Sequence, residues 1–224
     1  MNLNDDFTQR AAVHGAKTDW FASPMPGVDR KPLDRIGDEV ARATTIVRYA
    51  PGSSFSAHTH TGGEEFLVLE GVFQDQYGDF PAGTYVRNPP TTSHEPASEE
   101  GCVILVKLWQ FDMDDRNQFH VAGENRCYEP VADGVEAARV HKDDREEVRF
   151  ERWAPGARVV SGPHDGLEIF VLKGGFAEGG EDFAVWSWLR LPKGAALTAA
   201  AGPEGAEVWI KEGHLATTPS GPAV

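Results

Sequence analysis

Residues 54–73, SFSAHTHTGGEEFLVLEGVF, set two histidines and two glutamates against an apolar run. His58 and His60 stand two apart, which on an extended chain turns both rings to one face. Gly62 and Gly63 let the backbone turn, so that Glu64 opens a further strand. In that strand Glu64, Phe66 and Val68 share a face, placing a carboxylate at the mouth of an apolar interior. Glu65 takes the opposite face and is expected on the surface or in support of the carboxylate beside it. Polar groups this close to a core are costly unless something satisfies them. A metal ion would do so.

The flanking sequence is built of short apolar runs separated by Gly, Pro, Asp and Ser: TTIVRYA, GTYVRNPP and CVILVKLW, then EVRFERWA, EIFVLKGGF, AVWSWLRLP and AEVWIKEG. Their length and their wealth of Val, Ile, Phe, Tyr and Trp read as strands. Helical periodicity is confined to short candidates around residues 3–13 and 112–119. The fold class is therefore all-β, a sandwich or barrel.

The runs also recur in order. Arg48-Tyr49-Ala50-Pro51-Gly52 returns as Arg152-Trp153-Ala154-Pro155-Gly156. Glu64, Phe66 and Gly71 return as Glu168, Phe170 and Gly175, and Glu100-Gly101 returns as Glu204-Gly205, all at one offset of 104 residues. This pattern is an internal duplication. Two β domains are expected in tandem, 1–118 and 119–224, with Gly123, Pro130 and Gly134 punctuating the linker between the repeats.

Composition narrows the function. A formal net charge of −14 over 224 residues argues against nucleic acid and against an anionic membrane surface. Two cysteines, Cys102 and Cys127, without C-x-x-C, exclude a cysteine-rich zinc module and a disulfide scaffold. The beginning MNLNDDFTQR has no apolar core of a secretory signal, and no run approaches a membrane span. The expectation is a soluble, cytoplasmic protein. Trp153, Trp186, Trp188 and Trp209 read as strand core or as contact between the halves. No phosphate-binding or dinucleotide fingerprint appears.

Written by spacing, Gly52, His58, His60, Glu64 and Gly71 give G-x5-H-x-H-x3-E-x6-G, and a third histidine, His94, closes the run NPPTTSH. This pattern resembles the cupin superfamily, whose first motif it matches. The second cupin motif is matched only by the order of Gly83, Pro89 or Pro90, and His94, with different spacings and no terminal Asn. Within cupins, HTHTGGEEFLVLEGVF, GDFPAGTYVRNPPTTSHEP and EEGCVILVKLW are most similar to the cupin-like domain of ChrR anti-sigma factors. The resemblance implies two small β-barrels or jelly rolls. It also implies one divalent ion held by His58, His60, Glu64 and His94.

Three imidazoles and one carboxylate suit zinc, iron, manganese, nickel or copper; the resemblance puts zinc first. In the second half His164 and Glu168 stand for His60 and Glu64, whereas Gly162 and a residue near Ala196 replace His58 and His94. Two ligands hold a metal poorly, so the second repeat is read as degenerate, with His164 and Glu168 at most a hydrogen-bonded pair.

Three uses of the ion stay open. One is a sensing or small-ligand-binding module, as the resemblance implies; the chain carries no H-x3-C-x2-C for the sigma-binding domain that accompanies the cupin in ChrR proteins. Another is a metal-dependent dioxygenase acting on a small organic molecule, lodged in a wall of Tyr49, Phe66, Val68 and Trp109. The last is a closed structural site. The two-sided apolar strand FLVL further suggests a homodimer.

Overall fold

The computed structural model describes residues 2–38, 40–217, 219, 221 and 222. Among these the regular structure is nearly all strand, with two short 3-10 turns, Gly15–Lys17 and Gly123–Asn125, and no α-helix. Two compact units are formed. One is built on Asp19–Asn125, the other on Arg126–Pro219 together with the N-terminal piece Asp6–Thr18. This differs from an even division at residue 118, because Ala11–His14 is a strand laid antiparallel on Ser187–Leu191.

The helix expected around 3–13 is thereby replaced. Short polar-flanked AAVH has too few turns to propagate a helix, and a free sheet edge offers it backbone partners instead. The second expected helix, 112–119, is a turn. Asp112 accepts the Asp114 N–H at 2.9 Å, and the chain then enters the strand Phe119–Val121.

In the first unit, Glu64–Asp75 lies between Tyr85–Asn88 and Cys102–Leu108, and the sheet continues through Ala41–Tyr49 to Val28–Gly37. All these pairings are antiparallel. Non-consecutive strands are thus neighbours, as jelly-roll connections require. The inner face carries the core of Val47, Phe66, Val68, Phe73, Ile104 and Val106. Burying a side chain of this size contributes about 2 kcal/mol, so the core is the main stabilising term. The run FLVL lies within the chain, with Phe66, Leu67 and Val68 at 1%, 2% and 1% exposure. Only Leu69 of the run is half-buried, so it offers little apolar surface to a second copy.

The second unit repeats the plan with Leu167–Glu178 between Ser187–Leu191 and Leu197–Glu212, followed by Glu147–Trp153 and Val135–Lys142. Its core gathers Trp153, Ile169, Val171, Phe176, Leu189 and Val208.

The strand registers revise the repeat. Gly71 has φ +69 and its missing Cβ would fall 2.1 Å from the Gly101 carbonyl oxygen; Gly174 has φ +62 and its Cβ would fall 2.1 Å from the Gly205 oxygen. Gly174, not Gly175, is therefore the counterpart of Gly71. The same one-residue shift makes Glu168 the counterpart of Glu65, because Glu65 pairs with Arg87 and Lys107, and Glu168 with Arg190 and Lys211. The turn explains the shift: Gly62-Gly63 has become a single Gly166, one residue shorter. Leu167 occupies the place of Glu64.

Each unit thus buries a row of charge on the face away from its apolar core. In the first unit Lys107 donates to the Thr44 hydroxyl at 2.8 Å, Tyr85 donates to Glu65 at 2.5 Å, and Arg87 meets Asp115 at 2.8 Å. The second has Lys211 on Glu146 at 3.0 Å, and Glu168 accepting from Trp188 at 3.0 Å and meeting His214 at 2.7 Å. Buried ions survive only when paired in this way. Glu65 is thus a buried structural carboxylate rather than a surface group.

Candidate metal centre

Three pieces of backbone deliver the candidate ligands. His58 sits in the two-residue strand His58–Thr59, which pairs with Ser93–His94 so that His94 lies directly opposite His58. The turn that brings His94 there passes through Thr91, a β-branched residue held at φ +78. Such a conformation costs free energy, and the surrounding bonds hold it: Thr91 N–H donates to the His60 carbonyl at 3.0 Å, and His60 N–H to Thr92 O at 2.9 Å. Glu64 begins its strand after Gly63 (φ +77) and faces inward opposite Leu108. Trp109 closes over the turn, with its ring where a Gly62 Cβ would be, 2.1 Å away.

His58, His60, Glu64 and His94 come together, each offering one ligand atom, all within 4.8 Å of one another. Glu64 Oε1 lies 3.5 Å from His60 Nε2 and 3.5 Å from His94 Nε2. Ligands about 2.1 Å from a shared ion stand roughly 3–3.5 Å apart. The three rings are mutually edge-on, with centroids 4.5 to 5.2 Å apart.

The outer contacts set the tautomers. Thr92 donates its hydroxyl to the Pro89 carbonyl at 2.7 Å, so its oxygen, 2.9 Å from His60 Nδ1, accepts the Nδ1 proton. His94 Nδ1 points at Asp75 Oδ2, 3.4 Å away, and His58 Nδ1 at the Ser56 carbonyl, 3.4 Å away. For His60 this leaves Nε2 unprotonated toward the common centre, whereas His94 Nδ1 only faces the Asp75 carboxylate at ion-pair distance without a hydrogen bond. Burial pushes the His60 pKa down to about 4 despite the pull of Glu64, so this ring is neutral at physiological pH. His60 Nε2, His94 Nε2 and Glu64 Oε1 are buried without a hydrogen-bond partner. Three converging orphaned donors of lone pairs are costly in a bare protein and are what a cation would satisfy. The residues fit a divalent ion.

A cavity of about 420 Å3 opens beside His58 and Glu64. Of the wall expected from sequence, only Tyr49 lines it; Phe66 and Val68 lie in the packed core and Trp109 covers Gly62. The apolar lining comes instead from Val28, Val47, Phe55, Ile104, Val106 and Leu108. Burial and the charge of Glu64 hold the Tyr49 hydroxyl well above its ordinary pKa, leaving it a neutral donor.

Two cations missed by the sequence reading, Arg30 and Arg35, also line the cavity. The only sequence signal for them is position. They are five residues apart and would face opposite ways on a regular strand, but the register shifts between Pro32 and Asp34. Thr92 and Asp75, which orient the histidines, were likewise not foreseen.

The second unit holds no comparable group among the described residues. His164 is buried with both ring nitrogens unpartnered, and Glu168 is engaged elsewhere. The expected His164–Glu168 pair does not form, because the shortened turn puts Glu168 on the far face of its strand.

Residues 8–112 match the family described as the ChrR cupin-like domain. No curated protein matches the chain in sequence. Among solved structures, a protein of Nostoc punctiforme whose proposed activity is that of a dioxygenase superposes with TM-score 0.69 at 13% identity, covering 100% of this chain and 86% of that one. The bacterial pirin YhhW of Escherichia coli, in complex with nickel(II), superposes with TM-score 0.65 at 15% identity, covering 91% and 98%. The oxalate decarboxylase of Lactobacillus farciminis, as its formate complex, gives TM-score 0.64 at 11% identity, covering 91% and 86%.

Proposed function

We propose that this chain, a cupin in fold with a cupin-like first unit, is a metal-dependent small-ligand-binding protein of ChrR-like type. Its single ion is held by His58, His60, Glu64 and His94. The observation that carries this reading is the convergence of three buried, unpartnered ligand atoms on one centre beside an open cavity. A closed structural site would have no use for that cavity. Zinc is the first expectation, since the ligand set and the family match both suit it, with iron, manganese, nickel or copper as alternatives. Held by these four residues, a divalent ion would supply Lewis acidity toward an oxygen of a bound molecule. The protein orients the histidines through Thr92, Asp75 and Ser56, and supplies Tyr49 as a neutral donor.

A metal-dependent dioxygenase is the second reading. What favours it is that the cavity reaches both His58 and Glu64, so an organic molecule would lie beside the ion with a carboxylate in reach of its protons. Neither Cys102 nor Cys127 is in a disulfide. That suits a reducing compartment, and the proposal places the protein in the cytoplasm. Among the described residues no helix is long and apolar enough to cross a membrane.

The test is elemental analysis per mole of chain for the wild type and the Glu64→Ala, His94→Ala and His164→Ala variants. The expected result is close to one zinc in the wild type and in His164→Ala, with loss in the other two. Iron, manganese, nickel or copper at that stoichiometry shifts the reading to the dioxygenase and calls for measuring oxygen uptake. Metal absent from the wild type, or lost equally from His94→Ala and His164→Ala, would sink the assignment.

A further inference from the structure

We infer that the cavity beside the candidate metal centre selects small organic acids carrying a second anionic group, and that Arg30 is the residue that selects it. The inference deepens the proposed function, and rests on it for the end of the ligand that faces His58 and Glu64.

Val28, Arg30 and Pro32 pair with Tyr49, Val47 and Thr45, all residues of the inner face. A regular strand would then send residue 35 outward. The irregularity between Pro32 and Asp34 instead pairs Arg35 with Ala43, which lies on the same face as Thr45 and Val47. Two guanidinium groups are thereby brought into one otherwise largely apolar cavity.

Their surroundings differ. Arg35 is tied back through its Nε to the Gly37 carbonyl at 3.1 Å and also bonds the Asp38 carbonyl. The Arg30 side chain makes no hydrogen bond or ion pair with any described residue, although the chain carries 35 acidic side chains against 21 basic ones. The acidic residue among those lining the same cavity is Glu64, already committed between His60 and His94. Half-buried like charges on one wall repel each other and favour any anion that enters. Arginine recognises a carboxylate in particular, because its planar fork of N–H donors can bond both oxygens at once.

The remaining lining fits the middle of such a ligand. Val47, Ile104 and Val106 offer an aliphatic wall, and Thr45 and Tyr49 offer hydroxyls. At the ~30 Å3 occupied by a water-sized atom in a liquid, the cavity admits a molecule on the order of a dozen non-hydrogen atoms. The ligand class is therefore a short dicarboxylate, or an oxo- or hydroxy-acid with a distal carboxylate. One end lies toward His58 and Glu64 and the other on Arg30.

The experiment is calorimetric titration of the purified full-length protein with malonate, succinate, glutarate and adipate, each beside the monocarboxylate of equal chain length. Metal content is measured on the same samples. The wild type, Arg30→Gln and Arg30→Lys are compared. At least one dicarboxylate should bind the wild type about tenfold or more tightly than its monocarboxylate, from a second charge-assisted pair. Arg30→Gln should abolish that preference at unchanged metal content, and Arg30→Lys should restore part of it. A preference that survives in Arg30→Gln, or a metal-loaded wild type that prefers none of the dicarboxylates, overturns the inference and leaves the metal assignment standing. An Arg30-dependent preference in a protein without metal would overturn the metal assignment instead and leave Arg30 as the selecting residue.

Discussion

Thr92 shows how much a single hydroxyl can decide at the residue scale. Its proton is committed to the Pro89 carbonyl, so the oxygen can only accept from His60 Nδ1, and His60 must then present a bare Nε2 to the centre. Replacing Thr92 by Val keeps the shape and removes that constraint. The expected outcome is a fall of roughly 10–100-fold in metal affinity, measured by competition with a chelator, with little change in fold. An unchanged affinity would mean that the ring is oriented by its backbone alone. Thr92 itself was not legible in the sequence, because nothing in NPPTTSH says which threonine faces a ring 32 residues earlier. His58, His60 and Glu64 were legible as a cluster through the strand period and a glycine turn, and His94 joined them only through the resemblance to the cupin motifs.

At the scale of the element, the revealing feature is a missing residue. Gly62-Gly63 gives the first unit a turn long enough to put Glu64 on the inner face; Gly166 alone gives the second unit Leu167 there. Glu168 falls on the outer face beside Arg190 and Lys211, as Glu65 does beside Arg87 and Lys107. A side-chain period of two makes every single-residue slip a change of face. A fixed offset of 104 therefore names the wrong partner at Glu168, Phe170 and Gly175, with Ile169 the true counterpart of Phe66, while it holds for the outer strands. The corrected register can be tested at its glycines. Gly71→Ala and Gly174→Ala should each cost at least about 2 kcal/mol, because a Cβ would meet a carbonyl oxygen at a backbone angle that L residues avoid. Denaturant midpoints that fall for Gly175→Ala but not for Gly174→Ala would restore the original offset.

For the whole molecule, the two units differ in what their first strand does. Ala11–His14 completes the sheet of the second unit at Ser187–Leu191, and Phe7 stacks its ring under Arg190, 3.8 Å from the guanidinium carbon. Phe7→Ala combined with Val13→Pro, which removes a backbone donor from that strand, should thus free an edge strand and uncover a buried arginine in the unit whose described residues form no candidate metal centre. The expected result is a lower unfolding temperature with metal stoichiometry preserved, read by calorimetry and elemental analysis. Loss of metal together with stability would show that the candidate centre depends on the second unit.

The sequence by itself determined the fold class, and it pointed to a repeated plan, to a second repeat without a full ligand set and to four candidate ligands. The fold class rests on periodicity and turn residues, which are local properties of the chain, while the repeat rests on recurring order and the ligand set on the resemblance to the cupin motifs. Tertiary structure alone decided the rest. Arg30 and Arg35 share a cavity only because a strand irregularity falls between them, and Glu65 is buried because charged partners from two neighbouring strands line up beside it. Asp75 and Thr92 reach the histidines across turns whose geometry is a product of packing. Which faces meet, and which buried groups find partners, depends on contacts between segments far apart in the chain, and those exist only once the core has closed.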